Sequence, residues 1–211
     1  MTFSSSLTDD RRPLVLDTSV LINLHACTYG ERILRAVPND ILVPRIVASE
    51  LEHETSRRNG EHSFLHGLVE SGEVALADLT EEEYPQFSAL TSGSPSLDDG
   101  EAATIAIAAT RRLRCLIDEK KGRARATLSM DQIEPAWSLD LLRHPQVIAA
   151  LGPVQALEAL YLALRDGRMR IHEDHCGHVV NIIGPNRALD CRSLPSYKVR
   201  RLEWQAETIS E

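Results

Sequence analysis

Aromatic side chains are scarce in this chain: Phe, Trp and Tyr make up 4% of its 211 residues. Its interior must therefore be filled by Leu, Ile, Val and Ala. A 43% hydrophobic content suffices for that and excludes general disorder, and the length suits one large α/β domain or one domain with a tail. No apolar run approaches the roughly 20 residues that a membrane span requires. The opening stretch MTFSSSLTDDRRP has no apolar signal core. A cytoplasmic protein without membrane contact is expected. None of the four cysteines (Cys27, Cys115, Cys176 and Cys191) forms a CxxC pair, so reduced thiols are expected rather than disulfides. No GxSxG elbow, P-loop or GxGxxG is present, which argues against serine hydrolases and nucleotide-loop enzymes. Positive charge is also short: 23 Lys and Arg against 31 Asp and Glu leave a net charge of −8. Binding of nucleic acid through the overall field is thereby disfavoured. Local cationic runs remain at Arg111, Arg112 and Arg114, at Lys120, Lys121, Arg123 and Arg125, and at Lys198, Arg200 and Arg201.

What is present is an alternation of short apolar runs and amphipathic segments. Leu14-Val15-Leu16, Ile41-Leu42-Val43-Pro44 and Cys115-Leu116-Ile117 read as buried parallel strands. Val74–Leu79 alternates like an edge strand, and Arg168–Ile171 reads as a last strand. Helices are expected over residues 20–24, 31–37, 46–54, 61–70, 81–90, 101–114, 119–130, 137–150 and 153–166. This order predicts an α/β fold, a three-layer α/β/α sandwich around a mainly parallel sheet. Residues 1–12 read as a flexible leader, 13–171 as the domain, and 172–211 as a C-terminal appendage.

Four acids stand where such a fold exposes side chains along one edge. Asp17 follows the first strand, Glu50 lies in the helix after the second, Glu101 begins the Ala-rich helix, and Asp118 ends a later strand. Strand carboxyl ends and adjacent helix N-termini share one edge of a parallel sheet, so these groups can converge there. Clustered carboxylates repel one another and hold raised pKa values until a divalent cation resolves the conflict. Oxygen-only ligands suit Mg²⁺ or Mn²⁺, with Asp17, Glu101 and Asp118 as the metal set. Such a site can hydrolyse a phosphodiester. Thr18 or Ser19 would orient Asp17 or a ligand water, and Asn23 is a weaker supporting candidate. Taken singly, each acid is equally explained as a helix cap or dipole partner.

The stretches LVLDTSVLINL (14–24), VPRIVASELEHE (43–54), LDDGEAATIAIAAT (97–110) and CLIDEKKGRARA (115–126) together resemble the PIN nuclease family, particularly its toxin-like bacterial and archaeal members. The resemblance covers about residues 13–170. It implies a sandwich with an acidic Mg²⁺ or Mn²⁺ site that cleaves RNA. It matches Asp17 to the family's first acid, Glu50 to the second and Glu101 to the third, with Asp99 in reserve for that place. Many members carry Asp at the third place, whereas a shorter branch carries a Gly-Glu pair like Gly100-Glu101. The fourth acid falls on Asp118 or Glu119, with Asp118 preferred because it directly ends the strand. Lys120, Lys121, Arg123 and Arg125 are the RNA-binding candidates. A homodimer is implied, and an antitoxin partner if the chain is a toxin; compact toxins of the family are shorter. Two alternatives stay open: a catalytically inactive PIN-fold module that holds RNA or protein, and another carboxylate-metal phosphoesterase or DNA nuclease. His172, His175, Cys176 and His178 offer zinc-type donors, but their spacing matches no zinc module, and a surface loop is expected there.

Overall fold

The structure, a computed structural model, describes residues 3–131 and 133–209. Strands β1 (Leu14–Leu16), β2 (Ile41–Pro44), β3 (Ala75–Ala77) and β4 (Arg114–Leu116) form one sheet of order β3-β2-β1-β4. All its pairings are parallel, with Leu14 in register with both Ile41 and Arg114, and Leu42 with Ala75. Every residue of β1 and β4 is buried, because both faces of the sheet are covered there. Leu14, Leu16, Val43 and Leu116 face one hydrophobic cluster, whereas Val15, Cys115 and Ile117 face the other. This is the period-2 alternation of a strand buried on both sides.

The helices are α1 (Thr18–Ala26), α2 (Gly30–Ala36), α3 (Arg45–Glu50), α4 (Glu54–Asn59), α5 (Glu61–Glu70), α6 (Tyr84–Ser92), α7 (Asp99–Arg111), α8 (Lys120–Ser129), α9 (Ser138–Leu142), α10 (Pro145–Leu151), α11 (Pro153–Arg165), α12 (Glu173–Ile183), α13 (Pro185–Ala188) and α14 (Tyr197–Ile209). Leu90 of α6, Ile105 of α7 and Ala126 of α8 cover the second face. The larger cluster on the first face draws on α1, α2, α5, α9, α10, α11 and the helices beyond. The result is an α/β/α sandwich. Helix α7 is buried along most of its length because Ala102, Ala103, Ala106 and Ala108 let it approach the sheet closely. No single helix among the described residues is long and apolar enough to cross a membrane.

Three expectations are revised. Residues 168–171 form no strand: Arg168 adopts a left-handed φ of 56° after α11, and Met169 and Ile171 plug the core instead. The segment 137–150 is two helices, broken where Pro145 starts a new first turn capped by His144. The leader is anchored rather than flexible. Leu7 is fully buried, Ser5 Oγ donates to the Asp140 carbonyl at 2.8 Å, and Ser6 N donates to Asp140 Oδ1 at 2.7 Å. Asp10 pairs with the buried Arg114 at 3.1 Å, and Asn39 Nδ2 donates to the Asp10 and Arg12 carbonyls at 2.9 and 2.8 Å. Met1 and Thr2 lie outside the described residues.

The segment after residue 171 is helical and shares the main core. Cys176, Val179 and Ile183 of α12 and Trp204 of α14 belong to the same cluster as Leu14 and Leu160. Tyr161 Oη donates to Asp190 Oδ2 at 2.9 Å, tying the tail to α11. Ser210 and Glu211 lie outside the described residues.

Because Leu7 is buried among core residues, Leu7→Ala should cost about 2–5 kcal/mol, the usual range for a buried Leu truncation. A urea midpoint unchanged from wild type would show that the leader contributes nothing to the core.

Candidate metal centre and its acidic pool

Asp17 is held where β1 ends. Its backbone N–H donates to the Leu116 carbonyl of β4 at 3.2 Å, and its side chain caps α1. Asp17 Oδ2 accepts from Ser19 N at 3.2 Å and from Ser19 Oγ at 2.6 Å. An N-cap of this kind satisfies one of the unpaired amides of the first helical turn.

The second N-terminus at this edge is that of α7. Asp98 caps it, accepting from Glu101 N at 2.8 Å. Glu50, at the end of α3, reaches across with both oxygens in use. Glu50 Oε1 accepts from Gly100 N at 2.8 Å, and Glu50 Oε2 accepts from the Thr18 hydroxyl. Position 100 has to be glycine for this contact, because a Cβ there would lie 2.6 Å from Glu50 Oε2. Thr18 therefore serves Glu50, while Ser19 orients Asp17.

Asp17, Glu50, Asp98, Glu101 and Glu119, with Thr18, Ser19 and Lys121, line one open concavity of about 650 Å³. Burial pushes the Asp17 carboxyl up to about 7, and the charge of Asp98 adds to the rise against the opposing bonds from Ser19. Burial likewise pushes Glu101 up to about 7, reinforced by Asp98, Asp17 and Glu119, with Lys121 opposing. Glu101 Oε1 is buried and has no hydrogen-bond partner. Gly122 opens space for it, since a Cβ there would lie 2.5 Å from that oxygen.

Asp118 does not join this pool. It accepts three hydrogen bonds, from Asn23 Nδ2 at 2.6 Å, Ser138 N at 2.7 Å and Ser138 Oγ at 2.6 Å. Burial raises its pKa and these bonds oppose the rise. Its oxygens are spent on joining α1 and α9 to the end of β4. Asn23, expected beside Asp17, is the partner of Asp118 instead. Of the two candidates for the fourth acid, Glu119 is the one whose side chain lines the pool, and it forms an ion pair with Arg170. Asp99, the reserve for the third position, is exposed on the first turn of α7 and does not line the concavity. Asp98 does, although it is not among the acids expected there from the sequence. The Asp98-x-x-Glu101 spacing of an N-cap box was the available signal.

The four cations of α8 separate by helical face. Lys121 turns to the pool and donates to the Ser96 carbonyl, whereas Lys120 and Arg123 line a neighbouring cavity. Arg125 packs against the loop at Gly93.

The donor chemistry of the pool fits a hard divalent cation. All its donors are oxygens, two of its acids are raised by burial and by neighbouring carboxylates, and one buried oxygen lacks a partner. Among the described residues, no group of three or more His, Cys, Asp or Glu side chains is placed to hold a metal ion as it stands. This holds equally for the histidine-rich segment, which is helical rather than a loop. His172 caps α12, and His175 packs edge-on to Phe3 and against Trp137.

A family model described as a PIN domain matches residues 13–184. No curated protein and no solved structure matches the chain.

Two outcomes follow from this geometry. Asp118→Asn places an amide against two donors, at a cost of about 1–3 kcal/mol and hence several degrees in Tm. Glu119→Gln, on a half-exposed side chain, should leave Tm within about 1 °C of wild type; the reverse pattern in a thermal melt would put Asp118, not Glu119, at the working edge. The second outcome concerns pH. Asp17 titrates near 7 when folded against an ordinary 3.8. Between those values the native state holds a proton that the unfolded chain lacks, so stability falls as pH rises, by at most about 1.4 kcal/mol per unit for one group. In chelator, Asp17→Asn should therefore gain on wild type as pH rises from 5 to 7. A Tm difference that stays flat across that range would rule out the raised pKa.

Proposed function

The chain belongs to the PIN-domain family, and on that premise we propose that it is a Mg²⁺- or Mn²⁺-dependent ribonuclease. The observation that carries the proposal is the acidic pool, above all the buried and unpartnered Glu101 Oε1 beside a buried Asp17. Asp17, Asp98, Glu101 and Glu119 would hold the cation. When bound, the cation supplies Lewis-acid stabilisation of the phosphate and lowers the pKa of a bound water.

The protein's own groups prepare that chemistry. Ser19 fixes the direction of the Asp17 carboxylate by two hydrogen bonds. Glu50 acts as a positioning residue: it joins Thr18 of α1 to Gly100 of α7 and so sets Glu101 beside Asp17. Lys121 is the cation on the pool's rim, suited to a phosphate oxygen. The two helix N-termini direct their amides toward the same edge and favour anions there. An overall charge of −8 gives such an enzyme little general attraction for nucleic acid, so recognition has to be local.

The test is cleavage of single-stranded RNA with Mn²⁺ present and absent. Asp17→Asn and Glu101→Gln should each lower the rate by more than about a hundredfold, with Mn²⁺ affinity falling alongside. Mn²⁺ binding without cleavage of any RNA would instead favour an inactive PIN-fold module. Cleavage of a simple phosphate ester or DNA, but not RNA, would favour another phosphoesterase.

A further inference from the structure

A second cavity of about 470 Å³ lies beside the acidic pool, between α8 and the segment that leads into α12. Its size falls within the range of about 300–1,000 Å³ typical of small-ligand sites. Pro135, Trp137, Ile171 and Pro195 give it an apolar side, and Lys120, Arg123 and Arg170 give it a cationic one; Asp118, Glu134 and Glu173 line it as well, with Asp118 taken up by Asn23 and Ser138 and Glu173 paired with Arg200. The Arg123 guanidinium carbon sits 4.3 Å from the Trp137 ring centroid. Among the described residues no carboxylate forms an ion pair with Lys120 or Arg123, and Arg123 Nε has no hydrogen-bond partner. Arg170 is the exception, since it pairs with Glu119, and that contact joins the two concavities: Glu119 lines the pool and Arg170 lines the cavity.

We propose that this cavity is a nucleotide subsite that takes one nucleotide of a single-stranded RNA next to the bond to be cut. The reading rests on the ribonuclease assignment above. The base lies against the Arg123–Trp137 stack and the apolar wall, and its phosphate lies between Lys120 and Arg170. A flat aromatic base meets both demands of the lining, because guanidinium planes and indoles accept any base face. A paired duplex hides those faces, so the site selects unpaired strands. The spacing of α8 sets the geometry. Lys120, Arg123, Ala124 and Thr127 share one helical face toward the cavity, whereas Lys121, one residue on, faces the pool. One helix thus presents a cation to each of two successive phosphates. The remaining wall comes from residues 170–173 and 195, beyond the sheet, so the C-terminal helices complete the substrate groove.

The experiment uses full-length Asp17→Asn protein, in which bound RNA stays intact, and a short fluorescein-labelled single-stranded RNA. Affinity is read by anisotropy across a KCl series. Adding Lys120→Ala or Arg170→Ala, both on exposed side chains, should weaken binding on the order of tenfold each. Each should also flatten the slope of log Kd against log salt by about 0.7, the value for one lost contact to a single strand. Arg123→Lys, which keeps the charge but loses the planar stack, should weaken binding without changing the slope. Arg35→Ala, on α2 by the amino edge of the sheet, should do neither. If wild type cleaves RNA while the three cavity variants bind with unchanged affinity and slope, the subsite is wrong and the nuclease assignment stands. If the protein neither binds nor cleaves RNA, both fall together.

Discussion

The acidic edge depends on one clamp. Glu50 ends α3, where its charge is unfavourable to its own helix, and extends into the N-terminus of α7, where it is favourable. One oxygen takes the Gly100 amide and the other takes the Thr18 hydroxyl. Helix α1, which leaves β1, α3, which leaves β2, and α7, which leads to β4, are thereby fixed to one another at the carboxyl edge of the sheet. The clamp needs the missing Cβ of Gly100, and the turn of helix that follows carries Glu101 inward. Without it, α7 could still bury its alanines on the sheet, but nothing would set the rotation that brings Glu101 to Asp17.

The protein holds two kinds of buried acid, and hydrogen bonding tells them apart. Asp118 and Asp140 sit among donors that satisfy them: Asn23 and Ser138 for the first, Ser6 and Trp137 N–H for the second. Such acids hold elements together. Glu101 is buried with an oxygen that nothing satisfies, and Asp17, bonded by Ser19, still has its pKa raised by burial and by the charge of Asp98. A buried polar atom left unpaired costs on the order of 1–3 kcal/mol, so its persistence needs a compensating ligand or function. At Glu101 a bound cation would remove that cost.

Much of this was legible in the sequence because periodicity and strand ends are local signals. The alternation of apolar runs with helices indicated the parallel sheet, and Asp17 and Glu101 were recognisable from their positions at a strand end and a helix start. What failed was what depends on neighbours distant in sequence. Asp118 directly ends its strand and looked the better ligand; only the approach of Ser138, twenty residues on, shows that its oxygens are occupied. The leader looked disordered because its polar composition conceals Ser5, Ser6 and Asp10, whose partners lie more than a hundred residues away in Asp140 and Arg114. Residues 168–171 have strand-like composition, yet a left-handed Arg168 redirects them into the core. The two cationic faces of α8 were hidden because a run of four basic residues says nothing of which way each points until the helix is placed.

The Glu119–Arg170 pair makes the two concavities interdependent. Its side chains are 43% and 64% exposed, and a pair so open to water contributes no more than about 1 kcal/mol. Either partner can therefore be drawn away cheaply. A cation in the pool competes for Glu119, and an anion in the cavity competes for Arg170. Each event frees the group that the other ligand needs, so neutralising one side favours neutralising the other, by equal factors in both directions. With a net charge of −8, the chain has no spare positive field to attract a nucleic acid. On the proposed ribonuclease reading, releasing Arg170 as the carboxylates are neutralised would supply positive charge next to the acidic pool, where such recognition has to be local.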